Sequence, residues 1–169
     1  QSARRTILPY LESLHNELAL PMVYVSHVLE ELTSIADYLV LMSNGKVTAA
    51  GNLADTLTRL DTNLAQSDSA ESIIEAVVVD QDQEYGLSYL DAAAGRFVVS
   101  QSNLTKGSKK RIRIAARDVS ITLERAQQSS ILNIFEAKIL QIGSDNKSQV
   151  LLKLDLRGDI LLARITRKS

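Results

Sequence analysis

The side chain in this sequence that is best placed for chemistry is the imidazole of His27. It directly follows Met22-Val23-Tyr24-Val25-Ser26, an apolar run typical of a short strand that is buried on both faces. Pro21 marks the start of this run. An imidazole at the end of a rigid strand can donate a hydrogen bond to a ligand. The other interpretation is a partly buried histidine that backbone groups satisfy.

The composition excludes several other kinds of site. The chain has no cysteine and two histidines, so disulfides and thiolate metal ligands are absent and we expect no metal site. His15 lies on the polar side of a predicted helix, where we expect it to be solvated. A formal net charge of -1 with 45% hydrophobic residues argues against a disordered tail or a binder of polyanions. No apolar run approaches the roughly 20 residues of a membrane-spanning helix.

Helices and strands alternate around His27. The spacing of apolar residues predicts an amphipathic helix over Arg4–Leu18. The chain opens in this pattern without an initial methionine, so we expect it to be a fragment. Asn44-Gly45 predicts a two-residue hairpin, because both central positions of a type I′ turn need positive φ. The remaining elements are predicted as a short helix over 28–36, a buried strand over 37–42, a returning strand over 46–50 and a short helix over 53–60.

A series of spaced residues surrounds His27. It comprises the run 21–26 before the histidine and, after it, Glu31, Ala36-Asp37, Leu41-Met42, Asn44-Gly45-Lys46-Val47 and Gly51. Together these residues resemble the switch-histidine region of ABC ATPase subunits. In that family the histidine contacts the γ-phosphate of ATP and helps to position the attacking water, so the resemblance implies that His27 is catalytic.

The rest of an ATP-hydrolysing site is missing from the sequence. No G-x-x-x-x-G-K-[ST] phosphate-binding loop is present. In the family that is resembled, the signature motif and the acidic Walker B strand precede the region that begins here. We therefore expect the fragment alone not to hydrolyse ATP.

Short strands replace the mixed pattern in the second part of the chain. The polar stretch 62–72 is predicted to be a linker between residues 1–61 and 73–169. Beyond it, strands are predicted over Ile73–Val79, Tyr85–Leu90, Arg96–Val99, Lys110–Ala116, Val119–Leu123, Ile134–Ile142, Gln149–Leu156 and Asp159–Ile165.

These strands contain an internal repeat. Ile73–Val78 parallels Ile134–Ile139, and Leu90-Asp91 parallels Leu154-Asp155. A unit of about sixty residues that is used twice predicts a small Greek-key barrel of the OB type. We expect the second unit to be cut short, because nothing equivalent to residues 107–121 follows it in the sequence. The alternative is two unrelated β-segments that share common strand residues.

Two stretches of the second part carry a further resemblance. They are Ser129–Ile139 and Ala163–Ser169, which resemble the TOBE or Mop-type regulatory region that follows the ATPase in molybdate importers. In that family hydroxyls, backbone amides and basic residues surround a tetrahedral oxyanion. The resemblance implies Ser130, Asn133 and Lys168 as oxyanion-binding residues, with molybdate or tungstate as the ligand.

The two resemblances together predict an α/β C-terminal remnant of a P-loop ATPase domain, followed by an all-β, OB-like TOBE/Mop barrel domain. They imply that the intact protein is the ATP-hydrolysing subunit of a molybdate ABC importer, with ATP and Mg as cofactors. Its implied partners are a second copy and the transmembrane permease subunits, at the cytoplasmic face of the inner membrane. For the fragment itself we expect no cofactor.

Several alternatives stay open at this point. The same ATPase family also serves sugar, polyamine and iron importers, and the second part could be a purely structural dimerisation module. Because an open barrel exposes a strand edge, we expect the chain to dimerise or to be poorly soluble.

The basic stretch Lys106–Arg113 suggests binding to nucleic acid. However, aromatic residues form only 4% of the chain, and Ile112 and Ile114 alternate with arginines as in a half-buried strand, so we expect no nucleic-acid partner.

Overall fold

The computed structural model describes residues 7, 8, 10, 11, 14, 21–125, 128–144 and 148–169. The chain divides into two compact units, Gln1–Thr56 and Leu57–Ser169. This division lies before the predicted linker 62–72. The assignment of residues 1–61 to an ATPase remnant and of 73–169 to a regulatory domain stays a prediction.

The first unit alternates between short helices and strands. Its elements are α1 (Leu29–Ile35), β1 (Tyr38–Ser43), β2 (Lys46–Asn52) and α2 (Leu53–Leu57), which extends into the second unit. Within the predicted first helix, the residues that the structure describes are helical, namely Ile7, Leu8, Tyr10, Leu11 and Leu14. The others, His15 included, lie outside the described residues.

The turn between β1 and β2 is the predicted two-residue hairpin. Asn44 and Gly45 have φ values of 50° and 73°, and Ser43 faces Lys46 across the turn. Positive φ at both central positions is what a type I′ turn requires, and asparagine and glycine adopt it at the lowest cost. The hairpin prediction is therefore confirmed.

Neither of the two strands predicted to be buried on both faces is buried in this way. Residues 21–26 have no regular secondary structure, and Val23 and Val25 are 97% and 90% exposed. The predicted strand that leads into His27 is thus wrong. A strand of this kind needs partners on both sides, and no described strand pairs with it. The second strand forms as β1, but only Leu39 is buried on it, whereas Met42 is exposed.

The second unit is a pair of antiparallel sheets. One has the strand order β5-β4-β3-β6 and the other the order β7-β8-β9. The strands are β3 (Glu71–Asp82), β4 (Leu87–Ala92), β5 (Gly95–Val99), β6 (Lys109–Ala115), β7 (Lys138–Ser144), β8 (Gln149–Leu156) and β9 (Asp159–Thr166). A short helix α3 (Asn63–Gln66) precedes them, and a 3-10 turn (Ala116–Asp118) follows β6. The all-β prediction is confirmed, but the described strands do not close into a barrel.

The two segments of the predicted repeat have the same strand pairing. β3-β4-β5 and β7-β8-β9 are both antiparallel meanders. The register shifts between Val78 and Asp80 in the first meander and between Ile139 and Gln141 in the second. Because Val78 and Ile139 are equivalent in the sequence repeat, the two meanders carry a β-bulge at the same position.

Two predicted strand segments are wrong. Val119–Leu123 has no strand, and β7 begins at Lys138 instead of Ile134. In the first repeat the equivalent of residues 132–138 is Glu71–Val77, which pairs along its whole length with β6. In the second repeat no described strand lies on that side. Residues 132–137 therefore lack the hydrogen-bonding partner that makes their equivalents a strand.

Both meanders contribute to one hydrophobic core. The first supplies Ile74, Val78, Leu90 and Phe97, and the second supplies Leu152, Leu154, Leu156 and Leu161. Among the described residues, two hydrogen bonds connect the meanders: the Leu162 amide donates to Ser72 Oγ at 2.8 Å, and the Ala94 amide donates to Asp159 Oδ2 at 2.7 Å. Since burial of apolar surface is the main favourable term in folding, the repeats stabilise each other as one unit.

An ion pair within the first meander gives a pH-dependent prediction. Arg96 donates to both carboxylate oxygens of Asp91, at 2.7 and 3.0 Å, and this hydrogen bonding lowers the pKa of Asp91. A carboxyl with a lowered pKa stabilises the fold above its unfolded pKa, and the contribution is lost as the pH falls through the folded pKa. Because the pair is exposed, the effect on stability is small.

The measurement for this pair is an NMR titration of the Asp91 carboxyl. Its midpoint is expected below that of a free aspartate, and Arg96→Ala is expected to raise it. Arg157→Ala, at an exposed arginine of the second meander, is the matched control and should leave the Asp91 midpoint in place. A midpoint that does not respond to Arg96→Ala would contradict the assignment of the shift to this pair.

Candidate functional site

His27 lies in the loop that leads into α1, and its side chain is exposed. Val28 is the N-cap of the helix and has no side-chain acceptor for the first amides. Instead, Ser26 Oγ accepts a hydrogen bond from the Val28 amide at 3.1 Å. A serine hydroxyl that bonds to the backbone two residues ahead closes a local turn. The backbone of His27 therefore lies within a turn that is closed by Ser26 and Val28.

A buried carboxylate connects this loop to the helix. Glu31 is only 7% exposed. Ser26 Oγ donates to Glu31 Oε2 at 2.6 Å, and Tyr24 Oη donates to the same oxygen at 3.0 Å. Hydrogen bonds to a charged acceptor are among the stronger ones in proteins. The loop before His27 is thus attached to the first turn of α1 by two side chains.

This arrangement can present one hydrogen-bond donor to an anionic ligand. The exposed ring of His27 is available, whereas the side chain of Ser26 is engaged with Glu31 and Val28. A fixed donor of this kind suits developing charge on a phosphoryl group. In the described part of the chain, no cluster of three or more histidine, aspartate or glutamate residues could hold a metal ion.

The three predicted oxyanion residues, Ser130, Asn133 and Lys168, differ in their contacts. Ser130 and Lys168 are exposed, and no hydrogen bond between described residues joins any two of the three. Asn133 has a different contact: its Oδ1 accepts from the Val98 amide at 2.8 Å, and its Nδ2 donates to the Val98 carbonyl at 2.9 Å. The amide group of Asn133 therefore pairs with the outer edge of β5 as a neighbouring strand would.

An aromatic contact supports the same segment. The rings of Phe135 and Phe97 have centroids 4.4 Å apart and are tilted by 35°. A Cβ added at Gly95 would lie 3.5 Å from the Phe135 ring, and its φ of 129° is one that other residues rarely adopt. The segment around Asn133 thus covers the edge of the first meander.

Arg164 belongs to the same resembling stretch as Lys168 but is engaged inside the unit. Its side chain is 6% exposed. The Nη2 atom donates to the carbonyls of Ala65 and Ser67, at 3.1 and 2.8 Å. Sequence reasoning missed this role, because α3 and β9 lie far apart in the chain and no local pattern indicates the contact.

A cleft next to Asn133 is poorly suited to a divalent anion. It has a volume of about 300 Å³ and is lined by residues 122–125 and 134–137. Arg125 offers one positive charge, but the acidic residues Glu124 and Glu136 also line the cleft. Two like charges next to a dianion raise its energy, so we assign no ligand to this cleft.

The effect of Asn133 on stability can be measured. Asn133→Ala removes both hydrogen bonds to Val98 and is expected to lower the free energy of unfolding by about 1–2 kcal/mol. Asn103→Ala, at an exposed asparagine of the same unit, is the control and should change it by less than about 0.5 kcal/mol. Urea unfolding at constant pH makes the comparison. Equal midpoints for the two variants would contradict the role of Asn133 at the strand edge.

Comparison of the sequence with known proteins identifies the class of the protein. No protein-family model matches the chain, and no helix among the described residues has the length and apolar character needed to cross a bilayer. Curated relatives are ATP-binding proteins of importers. The chain is 46% identical over 166 residues to the molybdenum import ATP-binding protein ModC of Pseudomonas aeruginosa, covering 96% of this chain and 46% of that protein.

Other relatives agree. Identity is 44% over 163 residues with the molybdenum import ATP-binding protein ModC of Albidiferax ferrireducens, covering 96% of this chain and 44% of that protein. It is 41% over 167 residues with the molybdenum import ATP-binding protein ModC 1 of Azotobacter vinelandii, covering 98% and 46% respectively. The chain belongs to the family of molybdenum import ATP-binding proteins, as a portion of such a protein. It spans about half the length of the curated relatives that it matches.

Proposed function

We propose that this chain is the coupling and regulatory portion of the ATP-hydrolysing subunit of a molybdate importer. The observation that carries the proposal is the exposed imidazole of His27 on a loop fixed by Ser26 and Glu31, in a chain homologous to importer ATP-binding proteins. In the intact protein His27 donates a hydrogen bond to the γ-phosphate and helps to orient the attacking water. ATP and Mg are the cofactors, and both are held mainly by segments outside this chain.

The second unit is proposed to be a TOBE/Mop-type, OB-like regulatory domain. Its paired meanders and shared core support this assignment. Ser130 and Lys168 stay candidates for an oxyanion site, since both side chains are exposed. Asn133 contributes indirectly in this proposal, because its bonds to Val98 hold the segment that carries Ser130. Molybdate or tungstate is the proposed ligand.

The proposed assembly is a homodimer bound to permease subunits at the cytoplasmic face of the inner membrane. Exposed apolar side chains on the edge strand β7 favour a second candidate function, namely a purely structural dimerisation module. Ile139, Leu140 and Ile142 are 48%, 48% and 68% exposed, and an uncovered apolar strand edge readily pairs with another chain. In that case Ile142→Lys abolishes association, while Ser130→Ala changes no response to ligand.

The test is a calorimetric titration of a full-length ATP-binding protein that contains this sequence. Molybdate and tungstate are expected to give binding heat, and Ser130→Ala and Lys168→Ala are expected to reduce it. Sulfate serves as the control for anion selectivity. If none of the three anions gave heat, the oxyanion assignment would fail. ATP-dependent uptake of molybdate in vesicles that contain the permease then separates this solute from sugar, polyamine and iron.

A further inference from the structure

We propose that Glu31 is a positioning residue that holds the imidazole of His27 in place for ATP hydrolysis. This inference rests on the proposed function of His27 and extends it to a second residue. Glu31 lies four residues beyond the histidine, inside the first turn of α1. It does not touch the ligand in this proposal but acts through the loop.

The first step of the argument is the burial of the Glu31 carboxylate. Only 7% of the residue is exposed, and a buried carboxylate is costly unless it is hydrogen-bonded. Both Tyr24 and Ser26 direct their hydroxyls at its Oε2 atom, at 3.0 and 2.6 Å. The carboxylate thus serves as a common acceptor for two residues that precede His27.

The second step concerns the backbone of this loop. Residues 21–26 belong to neither a helix nor a strand, and no described strand pairs with them. Tyr24 and Ser26 are attached to α1 through Glu31, while Val23 and Val25, which alternate with them, are almost fully exposed. Side-chain hydrogen bonds to Glu31 therefore hold the loop against α1.

The third step connects the carboxylate to the backbone on both sides of the histidine. Ser26 Oγ donates to Glu31 and at the same time accepts from the Val28 amide at 3.1 Å. Removal of Glu31 leaves the hydroxyl free to rotate, which weakens the turn around His27. A catalytic group displaced by about 1 Å can lose about 100-fold in rate.

The test uses a full-length ATP-binding protein that contains this sequence. Glu31→Ala is expected to lower kcat for ATP hydrolysis by about 10-fold, while KM for ATP changes less than about twofold, because phosphate binding does not depend on one donor. Glu31→Gln keeps the shape and one acceptor oxygen, so it should recover part of the rate. Glu30→Ala is the matched control, since Glu30 is the exposed neighbour on the same helix.

A double-mutant cycle separates positioning from a merely structural role. In a His27→Ala background, Glu31→Ala is expected to cause no further loss of kcat, because the group that it positions is already gone. Equal losses in both backgrounds would overturn the inference and leave the role of His27 intact. If His27→Ala alone had no effect, the proposed function would fall together with the inference.

A second pair of variants covers the case in which Glu31→Ala does not fold. Ser26→Thr keeps the hydroxyl that connects Glu31 to Val28, whereas Ser26→Ala removes it. Only Ser26→Ala is expected to lower kcat, again by about 10-fold and only when His27 is present. Equal rates for the two variants would count against the connection through Ser26.

Discussion

His27→Ala in the full-length ATP-binding protein is expected to lower kcat for ATP hydrolysis by about 100- to 1000-fold, the range found when one fixed donor to a developing negative charge is removed. The side chain is exposed at the end of the loop, so the substitution leaves the packing of the unit unchanged. KM for ATP should change little, because most contacts to the nucleotide lie elsewhere. Steady-state hydrolysis measured over a range of ATP concentrations gives both constants.

His15→Ala is the matched control for this prediction. It removes the only other histidine in the sequence and is expected to leave kcat unchanged. His27→Gln retains a hydrogen-bond donor without the imidazole, so its kcat should lie between the values of His27→Ala and His15→Ala. If His27→Ala hydrolysed ATP at the rate of His15→Ala, the interpretation of this loop as a phosphate-contacting site would be abandoned.

Arg164→Ala is expected to destabilise the second unit by about 3 kcal/mol, since two hydrogen bonds from a buried charged donor are lost. The guanidinium donates to the carbonyls of Ala65 and Ser67, and both would lose this partner. The ion pair with Asp68, 3.5 Å long, contributes little because Asp68 is fully exposed. Urea unfolding that is followed by circular dichroism measures the change.

Arg167→Ala, at an exposed arginine three positions further along, is the control. Its free energy of unfolding should lie within about 0.5 kcal/mol of that of the parent protein. Arg164→Lys should recover only part of the loss, because an ammonium group lacks the planar fork that reaches two carbonyls. Hydrogen exchange should show faster opening of residues 62–72 in Arg164→Ala. An unchanged unfolding midpoint would show that the contact does not stabilise the unit.

Local patterns allowed much of the fold to be predicted. The alternation of apolar residues identified most strands of the second unit, and Asn44-Gly45 identified a turn whose φ values depend on those two residues alone. The repeat was visible because two meanders with the same bulge need similar residues at the same positions. In each case the information lies within a few residues of the element that it determines.

Features that depend on distant partners were not predictable. Met22–Ser26 has the composition of a buried strand, but strand formation requires neighbours that the described residues do not supply. Asn133 pairs with Val98 across 35 residues, and Arg164 reaches back 99 residues to Ala65. At the candidate site, sequence reasoning found His27 but gave no indication that Glu31 would be buried beneath its loop.

The common core of the two meanders determines how the second unit tolerates truncation. Phe97 and Leu154 come from different repeats yet pack in the same cluster, so a cut at residues 125–130 would leave each half with a bare apolar surface. Neither half then buries enough area to offset its loss of chain entropy. Heat should therefore melt the duplicated segment in a single cooperative transition, and a gene fragment that encodes one copy should yield an unfolded or aggregated product.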